Sequence, residues 1–194
     1  MARLHLVRHG ETDWNAQKRY QGSIDIPLNE RGRSQAKEVG KDLANLSFSA
    51  VYASTLSRAR ETAELILAAP EQKIHLLDTL KEGSFGQLEG KSYEEVHIQY
   101  ASSIEARKKL SARDKLHFKL IPDEESWHEV LERVLPTLEE IAKRHEGEEV
   151  LVVTHGGVIR TLLVHLADYE EFPRIENGQV VRFLYQEGRL VHTP

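Results

Sequence analysis

The sequence predicts an α/β fold in which helices cover both faces of a mostly parallel central sheet. Short runs of β-branched residues and leucine alternate along the chain with longer segments whose apolar residues have helical spacing. The run 150–154 is apolar on both faces, which is typical of a buried parallel strand. A chain of 194 residues can form one sizeable core, so a single domain over 1–194 is expected.

Five strands are predicted from runs of Val, Ile, Leu and Ala that end at turn residues. They cover residues 2–7, 50–53, 74–77, 150–154 and 179–185. His9-Gly10 ends the first strand, His155-Gly156-Gly157 ends the fourth, and Asn177-Gly178 precedes the last. A loop with one helical turn is expected over 11–28, and a glycine-rich loop over 81–90.

Four helices are predicted from the apolar spacing. They cover about 30–46, 56–67, the segment from Ser126 to Ala142, and 158–166. Asn29 is the expected N-cap of the first helix and Ser54 or Thr55 of the second, while Ser126 and Glu129 form a capping box for the third. Pro136 is expected to kink that third helix.

Charge and cysteine content narrow the classes of function. Asp and Glu number 31 against 26 Lys and Arg, and the net charge of −5 disfavours general binding of nucleic acids or anionic membranes. The chain has no cysteine, which excludes disulfides, thiolate nucleophiles and cysteine-based metal sites. No apolar run is long enough to span a bilayer, and the first strand leaves no room for a signal peptide. A cytoplasmic protein without nucleic-acid or membrane partners is therefore expected.

Two predicted strands end in a histidine followed by glycine. Arg8 and His9 follow the first strand, and His155 follows the fourth. Ligands of open parallel sheets bind beyond the carboxyl ends of strands, so these side chains are expected to meet at one site. Gly10 and Gly156 would let a ligand approach the backbone, and the N–H groups that begin the last helix favour an anion. The alternative is a pair of ordinary turn histidines in a chain that has 10.

Two further features indicate phosphate chemistry. Arg58 and Arg60 lie near the start of the second helix, where a guanidinium can hold a phosphate with two hydrogen bonds. One of the two is expected to face solvent, because positions two apart point to different faces of a helix. Glu82, in the glycine-rich loop, has the chemistry of a general acid, although an ordinary solvated glutamate is the alternative.

These residues belong to a longer set of motifs that resembles the histidine phosphatase superfamily, also called phosphoglycerate-mutase-like. The motifs are Arg8-His9-Gly10-Glu11-Thr12 with Trp14-Asn15, Gln21-Gly22, Ser54 to Arg58, Glu82 with Leu88-Glu89-Gly90, and Thr154-His155-Gly156-Gly157. They occur in the order of the family and cover the chain to about residue 168. The family's three-layer α/β/α fold agrees with the predicted order of strands and helices.

The resemblance implies chemistry through a phosphohistidine, without a metal or other cofactor. It makes His9 the nucleophile and Glu82 the proton donor, with Arg8, Arg58 and His155 also catalytic. The implied phosphate pocket comprises Arg8, Asn15, Gln21, Gly22, Arg58, Glu82, His155 and Gly156. The implied partner is a small phosphorylated metabolite, and a homodimer is compatible with the sequence.

The segment between Glu82 and Ser126 favours the phosphatase branch of this family. The cofactor-dependent phosphoglycerate mutases have an extra insertion there, and Gln21-Gly22 is also similar to the phosphatase members. The expected function is hydrolysis of phosphate monoesters of small metabolites. A cofactor-dependent phosphoglycerate mutase and a catalytically weak regulatory or binding protein are the alternatives. Glu124 stands where the family often has glycine, which is expected to alter the loop over the pocket.

A lid-like excursion is expected at about 91–125, and it contains a basic stretch. Residues 107–119 include six Lys or Arg and one acidic residue, Asp114. The stretch is either a solvated helix face or a lid that holds the anionic remainder of a phosphorylated substrate. His128 and Glu132 have the spacing of metal ligands on a helix, but a solvated face is the favoured interpretation because no third ligand is evident.

Overall fold

The computed structural model describes residues 1–69 and 71–193, and its strands form one six-stranded sheet. The strands are β1 (Ala2–Arg8), β2 (Ala50–Ser54), β3 (Ile74–Leu77), β4 (Glu149–Thr154), β5 (Val180–Gln186) and β6 (Arg189–Thr193). The α-helices are α1 (Asp13–Ala16), α2 (Glu30–Asp42), α3 (Ser57–Leu67), α4 (Tyr93–Gln99), α5 (Ala101–Lys108), α6 (Ala112–Lys115), α7 (Trp127–Arg144) and α8 (Gly156–Leu166). The predicted α/β class is confirmed.

The sheet has the strand order β3-β2-β4-β1-β5-β6. The first four strands pair in parallel, and β5 and β6 are antiparallel to their neighbours. β6 was not predicted. Glu187 and Gly188 both have positive φ and turn the chain from β5 into β6, so the glycine between two short alternating runs was the available signal.

Alternating side chains of β4 explain the three layers. Val150 and Val152 pack with the apolar faces of α7 and α8, whereas Leu151 and Val153 pack with those of α2 and α3. A strand that is covered on both faces must be apolar at every position, as β4 is from its second residue to its fifth.

The helix caps agree with the sequence in part. Asn29 accepts the N–H of Gly32 at 2.8 Å, and Ser126 forms its capping box, both as predicted. The prediction of Ser54 or Thr55 as a cap is wrong: Leu56 is the N-cap residue of α3 and makes no side-chain cap bond. Ser54 instead accepts the N–H of Leu56 at 3.3 Å and faces the interior.

One further helix prediction needs correction. α2 ends at Asp42, and Leu43 to Leu46 form a turn. α7 continues through Pro136, and a kink there stays a prediction. Because Val134 and Leu138 are both buried against the sheet, packing holds α7 in place on either side of Pro136, although the proline removes one hydrogen bond of the helix.

The excursion forms three short helices, α4 to α6, over a small apolar cluster. The buried members of this cluster are Leu88, Val96 and Ile121. Tyr20 and Phe85 pack against it from the side of the sheet's carboxyl edge. Among the described helices, none combines the length and the apolar composition that crossing a bilayer requires.

Candidate active site

His9 and His155 lie side by side because their strands are neighbours. β1 and β4 pair in parallel with Arg8 opposite Thr154, so the residues after both strands emerge at the same edge. The two imidazole ring centroids are 5.1 Å apart. His9 is 3% exposed and His155 is 0% exposed, which makes the pair part of the protein interior.

A backbone carbonyl fixes the tautomer of His9. Its Nδ1 lies 2.7 Å from the carbonyl oxygen of Gly10, which can only accept a hydrogen bond. The proton of the neutral imidazole therefore resides on Nδ1, and the lone pair is on Nε2. Burial lowers the pKa of His9 well below 6.5, and the charges of Arg58 and Arg8 lower it further.

Ser54 is the hydrogen-bond partner of His155. Its Oγ lies 2.9 Å from Nε2 of His155 and also accepts the N–H of Leu56. Because a hydroxyl can both donate and accept, this bond is compatible with either tautomer of His155. The Nδ1 atom of His155 is buried and has no partner among the described residues. Burial, then the charge of Arg58, lowers the pKa of His155 well below 6.5.

Arg58 is a fully buried guanidinium at this edge of the sheet. Its two terminal nitrogens donate to the carbonyl oxygens of Ile24 and Gly22, each at 2.8 Å. Its Nε is buried and has no partner in the described part of the chain. Burial lowers the pKa of Arg58 to about 10, although Glu82 and Asp25 act in the opposite direction. A positive charge held this way favours a bound anion.

Arg8 brings a second cation to the same place. One of its terminal nitrogens donates to the carbonyl oxygen of Ile175 at 2.5 Å, while its Nε is buried without a partner among the residues described. A Cβ at Gly156 would lie 3.0 Å from that Nε, so this glycine leaves room for the guanidinium. The predicted contribution of Gly10 is wrong, because its missing Cβ makes space for the carbonyl of Gly32 and not for a ligand.

Polar side chains of the loop after β1 border the cavity. The hydroxyl of Thr12 donates to Oε1 of Gln21 at 2.8 Å. The amide nitrogen of Gln21 therefore points away from Thr12. Oδ1 of Asn15 accepts the backbone N–H of Thr12 at 3.1 Å and an N–H of Asn177 at 3.3 Å. The amide groups of Gln21 and Asn15 are thereby held with their donors available.

Glu82 is fixed by the start of α8. Its Oε2 accepts the N–H of Gly157 at 3.0 Å, and its Oε1 accepts the N–H of Gly83 at 3.1 Å. Arg133, which the sequence did not single out, anchors the same loop by donating to the carbonyl oxygens of Thr79 and Lys81 at 2.8 Å and to Glu125. Its role depends on tertiary contacts between α7 and the loop, so helical spacing alone could not have revealed it.

The predicted site residues share one cavity of about 890 Å³. They line it with the exception of His155, which lies beneath it. The cavity also has a set of lining cations and aromatic rings that the sequence did not single out: Lys18, Arg19, Tyr20, Arg31, Phe85, Tyr93, Arg160 and Arg174. In all, seven Lys or Arg and three Glu line the cavity, so it is basic although the whole chain carries −5.

Other candidate residues lie outside the cavity. Arg60 is exposed and lies 3.6 Å from Glu64, as expected for one of the two helix arginines. No residue of the basic stretch 107–119 lines the cavity. His128 lies 3.7 Å from Glu132, and no group of three possible metal ligands occurs in the described residues.

An enzyme that acts on phosphate monoesters through a covalent intermediate needs a nucleophile with a free lone pair and a pocket of positive charge beside it. The neutral imidazole of His9 and the basic cavity have these two properties. The chain belongs to the histidine phosphatase superfamily, branch 1, whose sequence profile matches residues 4–193.

The most similar proteins of this family include plant enzymes and a bacterial structure. The chain is 40% identical over 165 residues to phosphoglycerate mutase-like protein 4 of Arabidopsis thaliana, covering 83% of this chain and 69% of that one. It is 37% identical over 180 residues to the metal-independent phosphoserine phosphatase of the same plant, covering 90% and 73%. The structure of Bacillus stearothermophilus YhfR matches with a TM-score of 0.88 at 32% identity, covering 99% of this chain and 95% of that one.

Proposed function

We propose that this protein hydrolyses phosphate monoesters of small metabolites through a phosphohistidine on His9, without a metal ion. The observation that carries the proposal is the tautomer of His9. The carbonyl of Gly10 holds the proton on Nδ1 and leaves the lone pair of Nε2 for attack on phosphorus.

In the first step, Nε2 of His9 bonds to phosphorus as the bond from phosphorus to the ester oxygen breaks. The leaving oxygen takes a proton from the carboxyl of Glu82, whose position is fixed by the N–H groups of Gly157 and Gly83. In the second step, water attacks the phosphohistidine and gives its proton to the Glu82 carboxylate. Inorganic phosphate leaves, and both side chains return to their starting states.

The protein's own cations and N–H groups neutralise the transferring phosphoryl group. The Nε–H groups of Arg8 and Arg58 are buried donors without partners in the described structure. Nδ1 of His155 is a third buried nitrogen without a partner there, and it donates in the tautomer that places its proton on Nδ1. They are already in place before substrate binds, so the site needs little reorganisation when negative charge develops. This set supports a reaction that does not depend on a divalent metal.

A phosphoglycerate mutase is the second candidate, because one of the similar plant proteins is named phosphoglycerate mutase-like. Both reactions would use the same phosphohistidine and differ in whether water or a second hydroxyl takes the phosphoryl group. The cavity of about 890 Å³ is bordered by the exposed residues Lys18 and Arg31 and so is open to solvent on that side, which favours water as the acceptor of the phosphoryl group.

We expect the cytoplasm as the location, since the chain has no cysteine.

The direct test is a screen of phosphate monoesters with inorganic phosphate as the product measured, in buffer that contains EDTA. Turnover should continue in EDTA, vanadate should inhibit it as a five-coordinate mimic of the transition state, and His9→Ala should lose at least several orders of magnitude in kcat. An absolute requirement for Mg²⁺ or Zn²⁺ would contradict the proposal. Phosphoryl transfer to a second hydroxyl without release of phosphate would favour the mutase.

A further inference from the structure

Gln35 of α2 lines the cavity but has no role in the mechanism above. It is half-buried, and its Oε1 accepts the backbone N–H of Glu11 at 2.8 Å. That N–H belongs to the peptide group between Gly10 and Glu11, whose carbonyl oxygen lies 2.7 Å from Nδ1 of His9. One peptide group therefore connects the side chain of Gln35 with the imidazole of the proposed nucleophile.

The backbone on both sides of this peptide group is tied to a helix. After it, the N–H of Asn29, at the start of α2, donates to the carbonyl oxygen of Glu11 at 3.0 Å. Before it, the N–H of Gly10 donates to the buried hydroxyl of Thr62 on α3 at 3.0 Å. Thr62 in turn donates to a carbonyl of its own helix at 2.6 Å. These bonds fix the chain at two points, with the peptide group of interest between them.

Glycine leaves the peptide group between these two points free to rotate. A residue without Cβ restricts its backbone dihedrals less than any other, so the Gly10 side of the group offers little resistance to a turn of the peptide plane. The plane is therefore set by the two bonds that the group itself makes, one to Gln35 and one to His9. If the bond to Gln35 is lost, the carbonyl oxygen can turn away from Nδ1.

The bond to Gln35 also stabilises the charge that develops on His9. When Nε2 bonds to phosphorus, the ring keeps its proton on Nδ1 and becomes positively charged. The hydrogen bond from Nδ1 to the Gly10 carbonyl is then charge-assisted, and such bonds are stronger than neutral ones. A carbonyl is a better acceptor when the N–H of its own peptide group is bonded, because hydrogen bonds in a chain polarise one another.

We propose that Gln35 is a positioning residue for His9: it holds the Gly10 carbonyl against Nδ1 and thereby keeps the lone pair on Nε2. The kinetic consequence of this inference rests on the proposed function. The structural consequence does not, since the tautomer of His9 is a property of the protein without substrate. Without Gln35, the tautomer with its proton on Nε2, which cannot attack phosphorus, becomes populated.

The first measurement is ¹⁵N NMR of protein labelled in its histidine rings, at neutral pH and without ligand. A ring nitrogen that carries a proton and one with a bare lone pair have well-separated chemical shifts, and His9→Ala identifies the signals of His9. Wild type should show a protonated Nδ1 and a bare Nε2. In Gln35→Met, both signals should move toward the average of the two tautomers.

The second measurement is the burst of nitrophenolate from saturating p-nitrophenyl phosphate. In Gln35→Met the burst rate should fall by roughly 5–100-fold, the worth of a hydrogen bond whose loss leaves a partly buried donor unpaired. KM should change little, because Gln35 acts on the nucleophile. Gln35→Glu should keep the tautomer and most of the burst rate, since a carboxylate oxygen accepts the same N–H.

The matched control is Lys37→Met, which replaces an exposed side chain on the same helix and should leave the tautomer and the burst as in wild type. A wild-type tautomer in Gln35→Met would overturn the inference, and a rise in KM alone would show that Gln35 contacts substrate instead. A wild-type burst rate in spite of mixed tautomers would also overturn it. If wild type gives neither burst nor turnover, the proposed function has failed, and the NMR comparison still decides the role of Gln35.

Discussion

At the residue scale, the proposed chemistry depends on which nitrogen of His9 carries the proton. The carbonyl of Gly10 sets this, while the hydroxyl of Ser54 bonds to Nε2 of His155. Neither bond could be foreseen from residue spacing, because both depend on where the ends of the strands meet. That the two histidines would meet was predictable, since each follows a buried strand and precedes a glycine.

Replacing the proposed proton donor should separate two kinds of substrate. In Glu82→Gln, hydrolysis of an alkyl phosphate should slow by roughly 10²–10⁴-fold, because its alkoxide leaving group needs a proton. The burst of nitrophenolate from p-nitrophenyl phosphate should fall much less, since that leaving group needs little help. The measurement is rapid-mixing kinetics on both substrates.

The control for this variant is Glu94→Gln, which removes an exposed carboxylate on α4 and should leave both rates as in wild type. For p-nitrophenyl phosphate the comparison uses the burst rate and not the steady-state rate. Glu82 would also serve as the base for water, so the steady-state rate would fall for a second reason. A drop of the same factor in the alkyl phosphate rate and in the burst would show that Glu82 shapes the pocket and that another group donates the proton.

At the scale of elements, the start of α8 joins the loop that carries Glu82, the proposed proton donor, to the core. A Cβ on Gly157 would lie 2.3 Å from Oε1 of Glu82 and 2.4 Å from the ring of Trp127. Gly157→Ala should therefore displace both side chains, lower the free energy of unfolding by about 1–3 kcal/mol and reduce alkyl phosphate turnover. Urea unfolding and steady-state kinetics measure the two effects.

A double mutant shows whether the loss of activity passes through Glu82. In a Glu82→Gln background, Gly157→Ala should have a much smaller effect on the rate than in wild type, because the displaced carboxyl is already inactive. The effect on stability should remain, since it arises at Trp127. Full additivity of the two rate effects would contradict the contact that the structure shows.

The elements also show where sequence patterns suffice. Clear apolar patterns predicted α7, α8, β1, β2 and β4, because burial on one or both faces determines the pattern. The caps of α3 and the strand β6 were missed, since a serine beside a helix has other partners and a five-residue edge strand has a weak pattern. Arg133 and Arg160 were missed because their partners come from distant segments.

At the scale of the whole molecule, burial of two imidazoles couples the site to stability. His9 and His155 have pKa values well below 6.5 in the folded state. Below the unfolded pKa, the unfolded chain binds protons that the folded chain does not, so stability should fall as pH falls. Each residue should contribute about 1.4 kcal/mol of loss between pH 7.5 and 5.5.

Urea unfolding at these two pH values measures the coupling. His9→Gln should show a smaller loss of stability on acidification than wild type, by about 1.4 kcal/mol. His165→Gln removes an exposed histidine from α8 and should leave the difference between the two pH values unchanged. If the two variants respond alike, the buried pair does not set the acid sensitivity.

The charge distribution connects the site with the rest of the molecule. Seven basic residues line the cavity of a chain whose net charge is −5, so the field near the site attracts anions that the remaining surface repels. Arg8 and Arg58 hold the phosphate in the proposed reaction. The proposed roles of these residues depend on one claim, that the phosphoryl group of the substrate is transferred to His9.

Trapping the covalent intermediate tests that claim most directly. Wild type is mixed briefly with a ³²P-labelled phosphate monoester, denatured in alkali and digested, and the labelled peptide is sequenced. The account predicts label on the peptide that contains His9, stable in alkali and lost in acid as a phosphohistidine is, and absent in His9→Ala. Label on another residue, or full turnover by His9→Ala, would contradict it.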